Sequence, residues 1–397
     1  MFLPIVVALL LLVTTFYIHS KRPNPPKIFN VYSQPGKWFY LKFAAFYLLV
    51  WTRRLKSKLR KGTPVHELEK MKPLSDHEKA FDATFFQAVS QNGFFFCGGI
   101  ERRHRAKANG LFYIAVPELG LLESEKLPST LLESDPGSVL LLKDYSAEGI
   151  SFTPVEPMKK WHVAYNGKMR IQNEPHKFVS VKLNGDWTSN LPHFLFESDI
   201  NIKCLAKAIA RETWNEELFK ALKSAHQTHY EQMGYFNGTL KVGNKTYTLK
   251  MDAFRDHSFG YKRDWTLMHR YAFHMLYLKN GTRVSFGVVS QPCTTSLLEM
   301  GYIVLPDKSI HCIDSCDLLL YQHGENGTPG TSYAFSFSAN NETYDARIKV
   351  IYESVHFKGN NIEARLIERF IECEVNGMPG KGVSEWQYNN MKNLRKV

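Results

Sequence analysis

From about residue 93 onward, apolar residues alternate with polar ones in short runs that are separated by turn sequences. This period of two places apolar side chains on one face of a β-strand. Dipeptides such as Asn166-Gly167, Gly243-Asn244 and Asn280-Gly281 are typical of tight hairpin turns. Many short strands joined by such turns predict antiparallel β-barrels or sandwiches rather than a doubly wound sheet. The fold class is therefore predicted to be mainly β.

One long segment, Asp199 to His226, instead repeats apolar residues at helical spacing, with a possible break near Thr213. We predict that residues 199–227 form a helix between two β-domains, which span residues 76–198 and 228–390. The expected architecture is thus two antiparallel barrels or sandwiches linked by a helix.

Two apolar stretches precede this body. Residues 1–20 contain no Asp, Glu, Lys or Arg, and a helix of that length would be roughly 30 Å long, about one hydrocarbon core. We predict an N-terminal transmembrane helix there, because a cleaved signal peptide would normally begin with basic residues. The shorter stretch Trp38–Thr52 is rimmed by Trp and Tyr, and predicts an interfacial or second membrane helix with a basic flank over residues 37–62.

The formal net charge of +12 is concentrated behind the second apolar stretch. We expect this basic run to contact an anionic lipid surface through Arg53, Arg54, Lys56, Lys58, Arg60 and Lys61. The sequence has no nucleic-acid-binding signature. Its six scattered cysteines favour buried thiols, and neither a metal site nor a cofactor is expected.

The orientation of the main body stays open. The basic residues beside the apolar segments predict a membrane-anchored protein of the endoplasmic reticulum whose body lies in the cytosol. Five Asn-X-Thr sequons in the C-terminal half, beginning at Asn237, favour the lumenal face instead.

Candidate chemistry concentrates in residues 255–265, between two predicted strands. Strand geometry places Asp256 and Ser258 on one face, with Arg255 and His257 on the other. A carboxylate or imidazole that faces an apolar cavity can act as an acid or base, so Asp256 and His257 are the candidate catalytic residues. The alternative is a buried ion-pair network. The residues assigned to ligand binding or to such a network are Tyr230, Glu231, Arg255, Arg263, Asp264, Trp265, His269 and Arg270.

The order HYEQMG, DHSFGYKRDW, MHRY and NGMPGKGVSEWQY resembles the hydroxyneurosporene synthase (carotenoid 1,2-hydratase)-like superfamily of tandem lipocalin-like barrels. The chain is also similar to the N-terminal region of invertebrate phosphoenolpyruvate synthase-like proteins, but it lacks their phosphotransfer region. The resemblance covers roughly residues 76–388. It implies two calycin-type barrels, an apolar ligand cavity, and a buried carboxylic acid that protonates a C=C bond. Phe259 departs from the Trp that is frequent in the family motif.

Three functions follow as hypotheses. The first is membrane-tethered binding or transfer of a lipid or isoprenoid in a barrel cavity. The second is an enzyme that hydrates or isomerises such a lipid with a buried Asp or His. The third is an interaction module without a ligand, in which aromatic side chains would fill both barrels.

Overall fold

The computed structural model of the 397-residue chain describes residues 14, 20–21, 23–58, 64–105, 107–124, 131–133, 145–224, 227–359 and 361–391. The mainly β fold class is confirmed in this part of the chain. Its helices are α1 (Phe39–Lys58), α2 (Val65–Leu68), α3 (Phe196–Asp199), α4 (Ile202–Arg211) and α5 (Glu216–Ser224).

Twelve of the described strands form the first sheet: β1 (Phe81–Val89), β2 (Phe95–Arg103), β3 (Lys107–Val116), β4 (Gly120–Ser124), β5 (Leu131–Glu133), β6 (Tyr145–Ala147), β7 (Ile150–Glu156), β8 (Lys160–Ile171), β9 (Glu174–Thr188), β10 (His193–Leu195), β11 (Thr228–Val242) and β12 (Lys245–Gly260). Antiparallel pairing closes eight of them into a ring, because β9 pairs with both β8 and β11. The ring runs β1-β2-β3-β4-β8-β9-β11-β12.

The second sheet is a closed antiparallel barrel of consecutive strands. It contains β13 (Arg270–Leu278), β14 (Arg283–Gln291), β15 (Thr295–Val304), β16 (Ile310–Cys316), β17 (Ser332–Ala339), β18 (Glu342–Lys358), β19 (Ala364–Val375) and β20 (Met378–Asn389). The described body therefore contains two rings of eight antiparallel strands, which agrees with the predicted fold class of two antiparallel barrels.

The boundary between the rings differs from the predicted one. Residues 228–260 were expected in the second domain, but the whole of β1 pairs with residues 252–260 of β12, and β11 pairs with β9. These two strands close the first ring, since its other strands would leave β1 and β9 with open edges. The residues of the polar segment 255–265 thus end the first ring and lead into the second.

Both barrel interiors are packed with aromatic and aliphatic side chains. Phe86, Phe96, Phe112, Trp161 and Trp187 belong to the core of the first ring. The core of the second ring is built in the same way, around Phe286, Phe335, Phe337 and Trp386. A third apolar cluster joins the outer faces of the two rings and includes Phe95, Phe254, Met275, Tyr302 and Phe370. The two rings therefore pack side by side through their outward-facing residues.

The predicted linking helix is interrupted, as its sequence suggested near Thr213. It consists of α4 and α5, and Asn201 caps α4 by accepting a hydrogen bond from the Lys203 amide. The Asn201 side chain also donates to Asp314 Oδ1 of the second barrel (2.7 Å). The pair of helices thus lies across the junction between the two rings.

The membrane predictions are only partly covered by the structure. Of residues 1–20, predicted as a transmembrane anchor, all but Thr14 and Ser20 lie outside the described residues, as do Arg60 and Lys61. Among the described helices, none combines the length and apolar character needed to cross a bilayer. Within the predicted segment 37–62, of which residues 59–62 lie outside the described residues, Phe39–Lys58 forms α1, which packs against α4.

Candidate functional site between the two barrels

A cavity of about 390 Å³ lies where the two rings meet. Outward-facing side chains of β1, β2, β3, β11 and β12 form one wall, and those of β13, β14, β15, β18 and β20 form the other. Leu205 of α4 and Leu222 of α5 close part of its edge, and the connection that contains Trp265 forms another part. The volume falls within the usual range of about 300–1,000 Å³ for small-molecule sites.

Most of the cavity wall is apolar, with Phe85, Leu111, Phe254, Phe273 and Met300 among its residues. Polar groups are confined to a few places on this surface. Such a distribution suits a largely apolar ligand whose orientation is fixed by a small number of polar contacts.

The first polar group on the wall consists of His229, Glu231 and Asp256, from the hairpin β11–β12. Glu231 lies directly opposite Asp256 in the strand register, and His229 precedes Glu231 by two residues, so all three side chains point to the same face. His229 Nε2 lies 2.8 Å from Asp256 Oδ2 and 3.8 Å from Glu231 Oε1. The ring of Phe196 stacks on His229 at 4.2 Å, which fixes the plane of the imidazole.

Glu231 is the most deeply buried member of this trio, with 2% of its surface exposed. Ser285 of the second barrel donates a hydrogen bond to Glu231 Oε2 (2.5 Å), so this carboxyl lies at the contact between the rings. Burial raises the pKa of Glu231 to about 7, although His229 and Ser285 oppose this effect. A carboxyl of that pKa can give up or take a proton near neutral pH.

The pKa values of His229 and Asp256 are shifted in opposite directions, and both shifts favour the charged form. Burial disfavours ionisation of both, but their mutual attraction is stronger: Asp256 raises the pKa of His229, and His229 and then Arg263 lower the pKa of Asp256. The pair is therefore an imidazolium beside a carboxylate. The cysteine pattern predicted no metal site, yet ligand atoms of these three residues lie within 4.8 Å of one another and could also hold a metal ion.

A second polar group comes from the other barrel. Glu385, on the cavity wall, is the cross-strand neighbour of Glu368, and Tyr271 donates a hydrogen bond to Glu385. Burial and the charge of Glu385 raise the pKa of Glu368 well above its usual value. The raised pKa favours the protonated form of Glu368, which lies beside Glu385 but does not itself line the cavity.

The third polar feature is a fixed ion pair at the edge of the cavity. Arg263 donates to Glu101 Oε2 (2.9 Å) and to Ser258 Oγ (2.9 Å), and its guanidinium lies over the ring of Phe81 at 3.9 Å. Arg103 and Arg263 hold the pKa of Glu101 at about 2 despite its burial. This carboxylate is thus permanently ionised and paired, which suits a structural or positioning role.

A family model described as a family of unknown function, DUF8627, matches residues 1–388. The chain belongs to this family. A search of curated proteins finds no match to the sequence.

Two solved structures resemble the DUF8627 chain in fold. A candidate AttH protein from Nitrosomonas europaea aligns with a TM-score of 0.54 at 10% identity, over 79% of this chain and 94% of that one. Kievitone hydratase from Nectria haematococca aligns with a TM-score of 0.50 at 10% identity, over 83% and 96%. These likenesses confirm the tandem lipocalin-like fold. Neither neighbour is a hydroxyneurosporene synthase or a phosphoenolpyruvate synthase-like protein, and that finer resemblance gains no support from them.

Some of the predicted site residues of the DUF8627 chain face the cavity. Asp256 and Glu231 lie in the first polar group, and Arg263, Asp264 and Trp265 line the edge. Asp264 pairs with Lys79 (2.8 Å) and caps the short 3-10 helix Trp265–Leu267. Within residues 255–265, Asp256, Ser258 and residues 262–265 thus line the cavity.

The other predicted residues lie inside the barrels. His257 is enclosed by Asp82, Tyr145 and Tyr230, with Nε2 2.8 Å from Asp82 Oδ1. Arg255 donates to Glu69 Oε1 (2.6 Å) and stacks on Trp187. These contacts form the buried ion-pair network that was the structural alternative, and His257 does not line the cavity.

In the second barrel, His269 and Arg270 likewise belong to an ion-pair network. His269 Nε2 lies 2.7 Å from Glu325 Oε1, and Arg270 donates to Glu325 Oε2 (2.9 Å). Arg270 also donates to Tyr388 and stacks on its ring. Neither residue lines the cavity.

Sequence reasoning missed the second wall altogether. Ser285, Glu368 and Glu385 were not singled out, because nothing in the sequence distinguishes them from the other polar residues of their strands. His229 begins the HYEQMG motif, but nothing in its local sequence shows that it faces Asp256 until the hairpin register is known.

Proposed function

We propose that the cavity between the barrels binds an apolar small molecule and catalyses its hydration or isomerisation by proton transfer. The observation that carries the proposal is Glu231, a buried carboxyl with a pKa of about 7, placed beside the His229–Asp256 ion pair on an apolar wall. The likeness in fold to kievitone hydratase, whose name states a hydration, also supports this reading.

In the proposed hydration, Glu231 donates its proton to one carbon of a C=C bond, and the electrons of the double bond form the new C–H bond. The oxygen of a water molecule forms the C–O bond to the neighbouring carbon, while Asp256 accepts the proton that this water loses. The His229 imidazolium then gives its Nε2 proton to the Glu231 carboxylate, 3.8 Å away, and regains a proton from Asp256, 2.8 Å away, which restores all three groups. The sum is the addition of one water molecule.

Isomerisation uses the same groups without the water. Asp256 removes a proton from a carbon beside the double bond, and Glu231 delivers a proton to its far end. The Glu385–Tyr271 pair faces the cavity from the other barrel, where it can hydrogen-bond a hydroxyl or carbonyl of the ligand.

The test uses the full chain, because the site needs both barrels. The protein is incubated with an apolar cell extract in deuterium oxide, and products are followed by mass spectrometry. Hydration predicts a compound that gains one molecule of labelled water, and isomerisation predicts deuterium bound to carbon without a gain of water. Glu231→Gln should abolish either product, whereas Glu372→Gln, at an exposed position of β19, should not.

Three outcomes contradict the proposal. One is that no compound gains deuterium, and another is that Glu231→Gln performs as the unsubstituted chain does. The third is that the chain retains an apolar compound unchanged, which would favour the binding-and-transfer hypothesis for the same cavity.

A further inference from the structure

Helix α1 presents apolar side chains on the face that is turned away from the protein. Leu48 is 57% exposed and Leu41 is 65% exposed, and the same face carries further large exposed side chains, namely Tyr40, Leu49, Trp51 and Leu55. Leu48, Trp51 and Leu55 follow one another at intervals of three and four residues, and Leu41 lies two turns before Leu48. The exposed apolar side chains therefore form one stripe over about four turns. A helix on the surface of a soluble body normally presents polar residues there.

The opposite face fixes α1 to the body of the protein. Lys42 Nζ donates to the carbonyl oxygen of Glu212 (2.7 Å), and Arg54 donates to the carbonyl oxygen of Ile200 (2.6 Å). Phe46 packs on Trp214. Because its charged side chains bind the helix pair α4–α5, the apolar stripe of α1 is held outward.

The exposed cations lie at one end of this stripe. Arg53 and Lys56 are exposed beside Trp51 and Leu55. Aromatic rings with a polar edge, followed by basic residues, match the boundary between acyl chains and anionic headgroups. At the other end, Lys37 Nζ donates to the carbonyl oxygen of Ser20 (2.5 Å), so Ser20 lies beside the start of α1.

We infer that the stripe of α1 docks on an anionic lipid bilayer, with the helix lying parallel to the membrane surface. The surface continues toward the cavity, because Trp214 also contacts Phe219 of α5, which is itself 43% exposed. Helix α5 then contributes Leu222 to the cavity wall. If the proposed function holds, an apolar substrate could pass from the bilayer beneath α4 and α5 without crossing water.

The experiment places an environment-sensitive fluorophore at Leu48→Cys in the full chain. The control position is Phe178→Cys, an exposed apolar site on β9, and the unsubstituted chain gives the background labelling of native thiols. Vesicles of phosphatidylcholine, with or without phosphatidylserine, are then added. The label at residue 48 should become protected from iodide and accessible to a lipid-borne quencher with phosphatidylserine vesicles, whereas the label at residue 178 should stay accessible to iodide.

Further substitutions test the electrostatic part. Arg53→Gln removes one cation and should raise roughly fivefold the lipid concentration needed for half of the vesicle-induced fluorescence change. Glu231→Gln should leave this change intact even if it abolishes all chemistry, so membrane docking and the proposed function can fail separately.

Two results would overturn the inference. If iodide cannot reach residue 48 before vesicles are added, the stripe is covered by protein, either the chain's own N-terminal segment or a second copy. If iodide still reaches residue 48 in the presence of phosphatidylserine vesicles, the stripe does not contact the bilayer.

Discussion

Replacing Glu231 by glutamine should make the protein more stable above neutral pH while removing the proposed proton donor. Raising the pKa of this carboxyl from 4.5 to about 7 means that its ionisation costs the folded state about 3 kcal/mol more than it costs the unfolded chain. Because the side chain is almost fully buried, solvent screening does not reduce this figure much. A residue kept at such a cost is typical of a functional site.

The pH dependence has a definite sign. Below about pH 4.5 the carboxyl is protonated in both states and imposes no penalty, and the penalty grows until the pH exceeds about 7. Glutamine is neutral throughout, and its amide oxygen can still accept the hydrogen bond from Ser285. The variant should therefore match the unsubstituted chain to within about 1 kcal/mol in acid and exceed it by about 3 kcal/mol in alkali.

Urea unfolding at about pH 5 and about pH 8 measures this difference, with Glu372→Gln as the exposed control. The stabilising effect of Glu231→Gln must appear mainly at the higher pH. An equal change at both pH values, or a loss of stability at the higher one, would refute the assignment of a raised pKa to Glu231.

Two further predictions concern the buried charges outside this trio. Arg255→Met leaves the carboxylate of Glu69 buried without its ion-pair partner and should lower the unfolding free energy by about 3–5 kcal/mol. The control Arg347→Met breaks an exposed ion pair and should lower it by at most about 1 kcal/mol. Similar losses for the two variants in urea titrations would contradict the buried network. The raised pKa of Glu368 favours its protonated form in the folded state, so ionisation of this carboxyl destabilises the folded chain as the pH rises. Glu368→Gln should abolish this destabilisation. Its melting temperature should thus fall less between about pH 6 and about pH 9 than that of the unsubstituted chain, and parallel curves would count against the raised pKa of Glu368.

Turn chemistry predicted several of the hairpins. Gly243-Asn244 joins β11 to β12, and Asn280-Gly281 joins β13 to β14, with Gly243 and Gly281 at positive φ. The prediction of a turn at Asn166-Gly167 is wrong. There β8 continues through both residues: its pairing with β7 ends at Tyr165, and its pairing with β4 begins at Met169. At Asn166-Gly167, one edge of β8 changes from pairing with β7 to pairing with β4. The residues at this change of partner have the same composition as a turn.

The domain boundary was less accessible from the sequence. Alternation shows that β11 and β12 are strands, but not that β12 pairs with β1, which lies far away in the chain. Such long-range pairing depends on which open edges remain after the other strands have paired. The helical segment between two groups of strands predicted a domain boundary at that segment. In the structure, β11 and β12 follow α5 and complete the first ring.

Part of the site was within reach of the sequence. In the hairpin with the turn Gly243-Asn244, Val242 faces Lys245, and counting back along both strands places Glu231 opposite Asp256. That step would have joined two separate polar clusters on one outward face. The location of the cavity could not be predicted in this way, because its second wall comes from another barrel and periodicity does not show which outer faces meet.

The chemistry of the site depends on the contact between the two rings. On an isolated barrel, outward-facing residues such as Glu231 and Asp256 would lie in water and titrate as ordinary carboxyls. The second barrel covers Glu231, supplies Ser285 as its hydrogen-bond donor, and closes the cavity with Phe273 and Met300. Burial, the largest cause of the raised pKa, is therefore created by docking of the rings rather than by either fold alone. Filled barrel interiors provide two rigid surfaces, and the space left between them is where an acid with a pKa near neutrality can be held beside an apolar ligand.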